Sequence, residues 1–376
     1  MNMTNILESI KSIFVSNQNS SVLGIDIGPS SIKLVQLKRR KGRAILETYG
    51  ELSLGPYAGL EVGRSTNLAT EQVAQAVADI LRESNVTTNK CSLSIPMGSS
   101  LVSFIKLPKV DEKQLAQMVP LEARKYIPVP ISEVSLDFIV IPRNESIASE
   151  YQNNQEKPED KTIDVLLVVI HNDAMEKNKE ITRIAKLDTE FSEIEIFGSM
   201  RSVLEPGTQP QMIIDFGSGS TKIYIVERGI LRTSHLISRG SQDITLAISK
   251  SLGISIDEAE KMKRERGLLK EDGEQMDINE ITSLTLDYIF SEISRVLLDY
   301  QKKTERNVSK VFLTGGGVLL RGLKEKAESS FNVPVVMADP FSKLEYPAFL
   351  ENVLKQAGPS FAVAIGLALR CLQDKN

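Results

Sequence analysis

Apolar and polar positions along the chain follow the same plan twice. Alternating apolar residues predict three strands over residues 21–55 and a strand hairpin over residues 212–238. Helical spacing of apolar residues then predicts helices over 68–84, 111–126, 174–186, 197–204 and within 241–300. Further strands are predicted near 92–106, 164–170, 191–196 and 333–337. The repeated strand–hairpin–helix unit predicts an α/β protein built from two related halves.

The hairpins that open the two halves carry the same residue pattern. Leu23–Leu37 and Ile213–Val226 each contain an apolar run, Asp-x-Gly, small hydroxyl residues and a lysine that opens the next strand. Glycine allows close backbone approach, and hydroxyl and turn N–H groups can surround a phosphate. One such motif alone is usually only a turn, and the lysine could be an ordinary strand residue. Two copies could clamp one nucleotide through Gly28, Ser30, Ser31, Lys33, Gly217, Ser218, Gly219, Ser220 and Thr221.

An aspartate ends the first strand of each hairpin. These residues, Asp26 and Asp215, could hold Mg²⁺ directly or through water, because this ion prefers oxygen ligands. They are the candidate metal-binding residues of the chain.

Two further motifs could complete a nucleotide site. Gly315, Gly316 and Gly317 lie between a predicted strand and helix, where backbone could press against a ligand and the helix N-terminus would favour negative charge. Glu260 and Lys263 share a helix face because they are three residues apart, and could hold a ribose hydroxyl and an adenine edge. The alternatives are a tight packing turn and a solvated charged face.

Composition excludes several classes of protein. The chain has 376 residues, enough for two or more domains, and its 41% apolar and 25% charged residues are typical of soluble globular proteins. The net charge of −4 argues against general nucleic-acid binding. Cys91 and Cys371 form no CxxC motif, so no zinc site or disulfide framework is indicated. No apolar run is long enough to predict a transmembrane helix.

Two segments fall outside the repeated pattern. Residues 1–20 start with apolar side chains at helical spacing, which could form an amphipathic helix against a membrane or a partner. A frayed N-terminal tail is the favoured interpretation. Residues 143–161 are polar and charged, and predict a loop.

The order hairpin, hairpin, Glu-x-x-Lys helix and triple-glycine turn resembles the actin-like ATPase superfamily. Ala357–Ala368 resembles the second interdomain helix of that fold. Ser94–Gly98, together with the Glu-Ala-x-x-Tyr-Ile-Pro stretch in Leu121–Pro130, resembles the type IV pilus assembly protein PilM family, which is related to FtsA. The resemblance covers residues 21–372. It departs at Pro29, which stands in place of a small polar residue and removes one turn N–H.

The resemblance implies a two-lobed actin-like fold of duplicated ribonuclease H-like domains, with an inserted subdomain in the first lobe. We expect an N-terminal tail at 1–20, a first lobe at 21–190 with the insertion at about 91–190, a second lobe at 191–356, and a C-terminal helix at 357–376 that returns to the first lobe.

The resemblance also implies ATP with Mg²⁺ in the cleft between the lobes, with weak or no hydrolysis. Glu193 and Glu195, near the first interdomain helix, are the candidates to orient a hydrolytic water. Each could equally be a surface charge at a strand end.

The implied function is assembly of a type IV pilus or a related secretion machine. The implied partner is the N-terminal peptide of a PilN-like inner-membrane protein, which would dock in a groove beside the inserted subdomain. The protein would then be cytoplasmic and reach the inner membrane only through this partner, and self-association is left open. The alternatives are a filament-forming protein like FtsA or MreB and, less favoured, a small-molecule kinase of the same superfamily.

Overall fold

The computed structural model describes residues 21–141, 162–268 and 278–373. The expected N-terminal tail at 1–20 and the polar insert at 143–161 lie outside these ranges. Among the described residues, no helix has the length and apolar character needed to span a membrane. Cys91 and Cys371 are both buried, and neither forms a disulfide bond within the described part of the chain.

Strands and helices alternate along the described chain. The strands are β1 (Ser21–Ile27), β2 (Ser31–Arg40), β3 (Arg43–Ser53), β4 (Lys90–Ile95), β5 (Ser100–Pro108), β6 (Val134–Val140), β7 (Thr162–His171), β8 (Asp188–Ile194), β9 (Gln211–Phe216), β10 (Thr221–Glu227), β11 (Ile230–Ile237), β12 (Lys310–Thr314) and β13 (Val335–Met337). The α-helices are α1 (Thr70–Glu83), α2 (Glu112–Ala123), α3 (Asn172–Ile184), α4 (Glu195–Val203), α5 (Ser241–Leu252), α6 (Ile256–Arg266), α7 (Ile278–Thr304), α8 (Leu323–Phe331), α9 (Glu351–Ala357) and α10 (Ala362–Gln373).

The predicted duplication is confirmed by two five-stranded sheets of the same topology. The first has the strand order β3-β2-β1-β4-β8 and the second has the order β11-β10-β9-β12-β13. In each sheet three antiparallel strands are followed by two strands that run parallel to the first strand of the hairpin. The turns of the β1–β2 and β9–β10 hairpins therefore lie at equivalent ends of their sheets.

The central strands are buried on both faces because helices cover each sheet. Leu23 and Ile25 of β1 pack with α1 and α3, while Val22 packs with α10 on the opposite face. Side chains alternate across a strand, so this one apolar run serves two helix layers. Gly24 is required here, because a Cβ atom would lie 2.0 Å from the carbonyl oxygen of Ala364 in α10.

A third, three-stranded sheet has the order β5-β7-β6 and is covered by α2. Asp111 caps α2 by accepting a hydrogen bond from the Gln114 amide at 2.8 Å. The sheet falls within residues 100–171, a narrower range than the expected insertion at about 91–190, because β4 and β8 pair within the first large sheet.

Two helices connect the lobes and cross at glycine. Gly366 of α10 lies against Gly198 of α4, and a Cβ atom on Gly366 would lie 1.9 Å from the Gly198 carbonyl oxygen. Glu193 accepts hydrogen bonds from Arg201 of α4 and Arg370 of α10, which ties the two helices together. The small residues predicted along Ala357–Ala368 thus allow a close helix crossing.

Candidate functional site

A cleft of about 970 Å³ lies between the two large sheets and is lined by residues from both lobes. Most of the predicted site residues line it, namely Asp26, Gly28, Ser30, Ser31, Lys33, Glu195, Asp215, Gly217, Ser218, Ser220, Glu260, Lys263, Gly315, Gly316 and Gly317. Gly219, Thr221 and Glu193 are not among the lining residues. The cleft is large enough for a nucleotide.

The two hairpins make the same turn where they meet the cleft. The Gly28 amide donates to the Ser31 carbonyl at 3.0 Å, and the Gly217 amide donates to the Ser220 carbonyl at 3.0 Å. A Cβ atom on either glycine would lie within 3.2 Å of the carbonyl oxygen that its own amide contacts. Glycine therefore keeps both turns tight, and small hydroxyl residues follow it in each turn.

The second turn rests on the N-terminus of α5. The Ser241 and Gln242 amides donate to the carbonyls of Gly217 and Ser218, each at 2.9 Å. Thr221 is fully buried and donates from its hydroxyl to the Arg239 carbonyl at 2.8 Å. The Thr221 hydroxyl therefore supports the turn from behind.

Each hairpin places a lysine directly across from its aspartate. Lys33 pairs with Asp26 in the β1–β2 register, and Lys222 pairs with Asp215 in the β9–β10 register. The Lys222 ammonium lies 2.7 Å from a carboxylate oxygen of Glu195 and 3.3 Å from one of Asp215. Lys222 was not among the site residues predicted from the sequence, although its spacing from Asp215 equals that of Lys33 from Asp26.

The floor of the cleft concentrates charge away from water. Burial raises the pKa of Asp26, and the Lys33 ammonium offsets part of that rise. Burial likewise raises the pKa of Glu195, against the opposing effect of Lys222. Burial lowers the pKa of Lys222, but Asp215 and Glu195 outweigh it and hold that pKa above its ordinary value. Lys222 is therefore a charged ammonium between carboxylates.

The two candidate carboxylates at the first interdomain helix have different surroundings. Glu195 is the first residue of α4 and lines the cleft, and its second carboxylate oxygen accepts a hydrogen bond from the Met97 amide at 2.7 Å. Glu193 is also buried, but both its oxygens are held by arginines on α4 and α10. Only Glu195 faces the space where a ligand could sit.

Glu260 and Lys263 form a buried pair at the other end of the cleft. Their charged groups are 2.6 Å apart, and the Thr245 hydroxyl donates to Glu260 at 2.6 Å. Burial raises the pKa of Glu260, but Lys263 and the hydrogen bonds outweigh it and lower that pKa overall; burial also lowers the pKa of Lys263. The alternative of a solvated charged face is wrong, since the side chains of Glu260 and Lys263 are only 11% and 9% exposed.

The triple-glycine turn packs directly on the second hairpin. Gly315 has φ +88°, and a Cβ atom there would lie 2.4 Å from a carboxylate oxygen of Asp215. The turn continues as a 3-10 helix at Gly316–Leu319, and α8 begins only at Leu323. The expected α-helix N-terminus is therefore displaced from the glycines, because the 3-10 turn intervenes.

A polar segment that sequence analysis did not select joins the two hairpin turns. The Thr66 amide donates to the Pro29 carbonyl at 2.8 Å, on the first turn. The Ser65 hydroxyl lies 3.2 Å from the Ser218 hydroxyl, and its amide donates to Gln242 at 2.5 Å, on the second lobe. This bridge between the lobes has no sequence signature beyond a run of small polar residues.

Comparison with known proteins identifies the family. The family model described as "Type IV pilus assembly protein PilM" matches residues 24–372. The cell division protein FtsA of Neisseria meningitidis serogroup B (strain ATCC BAA-335 / MC58) is 31% identical over 175 residues, 41% of this chain and 41% of that protein. FtsA of Bacillus subtilis (strain 168) is 25% identical over 271 residues, 67% of this chain and 59% of that protein. The chain thus spans about two to three fifths of the length of these relatives.

Solved structures show the same fold. A structure titled "PilM-PilN type IV pilus biogenesis complex" has a TM-score of 0.76 at 24% identity, with 93% of this chain and 98% of that chain covered. MreB5 of Spiroplasma citri bound to ADP has a TM-score of 0.51 at 13% identity, with 94% and 97% covered. The predicted two-lobed actin-like fold is confirmed. With the family model matching almost the whole described chain, the protein belongs to the type IV pilus assembly protein PilM family.

Proposed function

We propose that this protein is an ATP-binding assembly protein of a type IV pilus or a related secretion machine, and that it binds a PilN-like membrane protein. The observation that carries the nucleotide proposal is the pair of equivalent glycine turns facing one cleft from opposite lobes. Membership of the PilM family supports the assembly role over the division-protein and kinase alternatives.

The side chains of the cleft suit the parts of ATP. Serine hydroxyls and turn amides on both hairpins would contact the phosphates, since such groups bind anions without needing a charge of their own. Lys33 would add a positive charge on the first side. The buried pair Glu260 and Lys263 would meet the ribose and base beside the Gly315 turn. These roles are part of the proposal.

Magnesium would enter this site with the nucleotide phosphates. Within residues 21–141, 162–268 and 278–373, no three His, Cys, Asp or Glu side chains are grouped to hold a metal ion. Asp26 would hold the waters of such an ion, because its carboxylate makes no ion pair shorter than 4 Å among the described residues. The Asp215 carboxylate is paired with the Lys222 ammonium, so it is less available to hold the waters of the ion. When bound, the ion would neutralise phosphate charge.

Weak or absent hydrolysis is consistent with the surroundings of Glu195. One of its oxygens accepts from the Met97 amide and the other pairs with Lys222. A carboxylate that is already hydrogen-bonded through both oxygens is poorly placed to orient a water molecule as a general base.

Addition of ATP with Mg²⁺ should raise the melting temperature of the protein, because a ligand that binds only the folded state stabilises it. Asp26→Ala should reduce the binding free energy by about 1–3 kcal/mol, the range for losing a charge-assisted contact. Differential scanning fluorimetry over a range of ATP concentrations measures both effects.

Asp257→Ala provides the matched control. This residue is an exposed aspartate in the first turn of α6 and does not line the cleft. Its loss should leave the ATP-induced shift unchanged. No shift of the wild-type protein at millimolar ATP with Mg²⁺ would contradict the nucleotide proposal.

The partner site would lie on the three-stranded sheet and α2. Leu93, Ile105 and Leu115 are buried core residues and leave no apolar surface for a peptide. Apolar side chains that remain exposed on this subdomain are Leu121, Tyr126, Ile139 and Val140, at 62%, 43%, 56% and 41%. Contiguous exposed apolar patches are typical of partner-binding surfaces, and these side chains are the candidates to contribute to one on this subdomain.

A synthetic peptide from the cytoplasmic N-terminus of a PilN-like protein of the same genome should bind with about micromolar affinity, since such segments order on binding. Leu121→Asp should weaken binding about tenfold or more by placing a charge in the apolar contact. Fluorescence anisotropy of the labelled peptide measures the affinity.

Leu284→Asp is the control for this experiment, because Leu284 is an exposed leucine on α7 of the second lobe at 85% exposure. It should bind the peptide as the wild type does.

In cell fractionation the protein should pellet with inner membrane only when the partner is co-expressed. Membrane association without the partner would contradict the proposed route to the membrane.

A further inference from the structure

A run of basic residues forms the turn between β2 and β3, at the end of β2 that lies away from the cleft. Residues 38–43 read Lys-Arg-Arg-Lys-Gly-Arg, with no acidic side chain among them, in a chain whose net charge is −4. Lys41 and Gly42 have φ +50° and +79°, as in a tight two-residue hairpin turn. The turn therefore concentrates positive charge at one corner of the first large sheet.

Much of this charge is open to an external anion. Arg40 and Lys41 are exposed and Lys38 is half-buried. Within the described ranges, none of these three side chains pairs with an acidic residue. Arg43 is 75% exposed and pairs with Glu345, which is itself 43% exposed. One acidic side chain thus offsets only part of the positive charge at the corner.

Exposed apolar side chains follow on the segment that carries Glu345. This segment lies beside β3, because the Glu345 amide donates to the Ala44 carbonyl at 2.8 Å and its carbonyl accepts from the Leu46 amide at 2.9 Å. Four residues further on, Phe349 is 81% exposed, and Val353 is 53% exposed. This part of the first lobe therefore presents both basic and apolar side chains, the combination found in segments that lie on a membrane surface.

We propose that this basic corner, defined as residues 38–43 with Phe349 and Val353, rests on the anionic surface of a lipid bilayer. Phosphate headgroups complement the basic side chains, and an exposed aromatic ring can enter the boundary between headgroups and acyl chains. Because the chain as a whole is acidic, an anionic surface repels much of the remaining protein, so the attraction also sets its orientation. The acidic net charge likewise disfavours nucleic acid as the anionic partner.

This contact adds to the tether of the proposed membrane partner and does not replace it. Each basic residue near an anionic membrane strengthens association about fivefold, so three unpaired residues contribute about a hundredfold. A single acyl chain, with an association constant of about 10⁴ M⁻¹, still binds membranes only marginally. At cellular salt the partner is therefore needed to hold the protein at the membrane, and the basic corner orients a protein that is already concentrated there.

Co-sedimentation with vesicles tests the proposal without the partner. At about 25 mM NaCl the wild type should bind vesicles made of phosphatidylglycerol and phosphatidylcholine in equal amounts, and at about 150 mM NaCl its affinity should fall about tenfold or more, because salt screens the attraction. It should not bind vesicles of phosphatidylcholine alone. Lys38→Gln/Arg40→Gln/Lys41→Gln should lose about thirtyfold or more in affinity at low salt. Absence of wild-type binding to the anionic vesicles at low salt would overturn the inference.

Lys250→Gln/Lys302→Gln/Lys303→Gln is the matched control. It removes the same charge from exposed lysines on α5 and α7 of the second lobe. This variant should bind the anionic vesicles as the wild type does. Equal losses in the two triple variants would overturn the inference, because net charge rather than the basic corner would then control binding.

Phe349→Ser tests the apolar part of the basic corner. It should weaken vesicle binding about fivefold, because the ring no longer leaves water at the membrane surface. Unchanged binding by this variant would overturn the lipid assignment, and so would wild-type binding to a short DNA duplex as tight as that to the vesicles.

ATP-induced stabilisation separates this inference from the nucleotide proposal. The Ser31 turn and the basic corner lie at opposite ends of β2, about 30 Å apart at 3.3 Å per residue. All three variants should therefore keep the wild-type melting temperature and its rise with ATP. Loss of the folded state in a variant would show in its melting curve, and the vesicle result for the wild type tests the proposal independently of ATP binding.

Discussion

A Gly315→Ala variant should lose stability and ATP binding together. Gly315 adopts φ +88° and ψ 162°, a backbone conformation that essentially only glycine adopts and that costs another residue about 1–3 kcal/mol. The new Cβ atom would also lie 2.4 Å from a carboxylate oxygen of Asp215 and 2.7 Å from the Phe216 carbonyl oxygen. The turn must move away from the second hairpin, so we expect a loss of about 2–4 kcal/mol in unfolding free energy and no ATP-induced rise in melting temperature.

Gly316→Ala is the matched control for stability. It changes the adjacent glycine of the same turn, but its φ is not in the left-handed region and no atom lies within 4 Å of the added Cβ. Its unfolding free energy should stay within about 0.5 kcal/mol of the wild type. Urea denaturation followed by circular dichroism distinguishes the two variants. Equal stability of both would show that the Gly315 turn does not pack on Asp215 as described.

The sequence was sufficient to predict the hairpins because their chemistry is local. An apolar run, a glycine turn and alternating positions after it specify a register that places Asp26 opposite Lys33. The same rule applied to the second copy places Asp215 opposite Lys222. The duplicated sheet topology followed from recognising the motif twice, since equivalent hairpins open equivalent sheets.

The two candidate carboxylates show where sequence periodicity fails. Glu193 and Glu195 are two apart, so a continuing strand would place both side chains on one face. The strand ends at Ile194 and helix α4 begins at Glu195, which changes the direction of the second side chain. Glu193 is then paired with Arg201 in the next helix and with Arg370, 177 residues along the chain, and only the three-dimensional structure reveals the second of these contacts.

Contacts between distant segments were also beyond sequence analysis. The bridge at Ser65 and Thr66 depends on a loop that reaches both hairpin turns, and small polar residues in a loop indicate no particular partner. The burial of Glu260 and Lys263 depends on Thr245 of the neighbouring helix. Charged residues at helical spacing favour a solvated face until that neighbour is known.

Gly366→Ala should destabilise the protein strongly, contrary to helix propensity. Alanine is favoured over glycine inside a helix by about 1 kcal/mol, so propensity alone predicts a more stable protein. The crossing of α10 and α4 predicts the reverse, because the added Cβ would lie 1.9 Å from the carbonyl oxygen of Gly198. Both contacting groups are on helix backbones, so the helices must separate, and we expect a loss of about 3 kcal/mol.

Gly198→Ala tests the same crossing from the other helix. Its Cβ would lie 3.0 Å from the Val363 carbonyl oxygen, so a shift of a few tenths of an ångström is enough to accommodate it. The gain in helix propensity then offsets most of the strain, and the unfolding free energy should change by less than about 1 kcal/mol. Urea denaturation of both variants measures the difference. A Gly366→Ala protein more stable than the wild type would contradict the close crossing, because the gain in helix propensity would then not be offset by a steric clash.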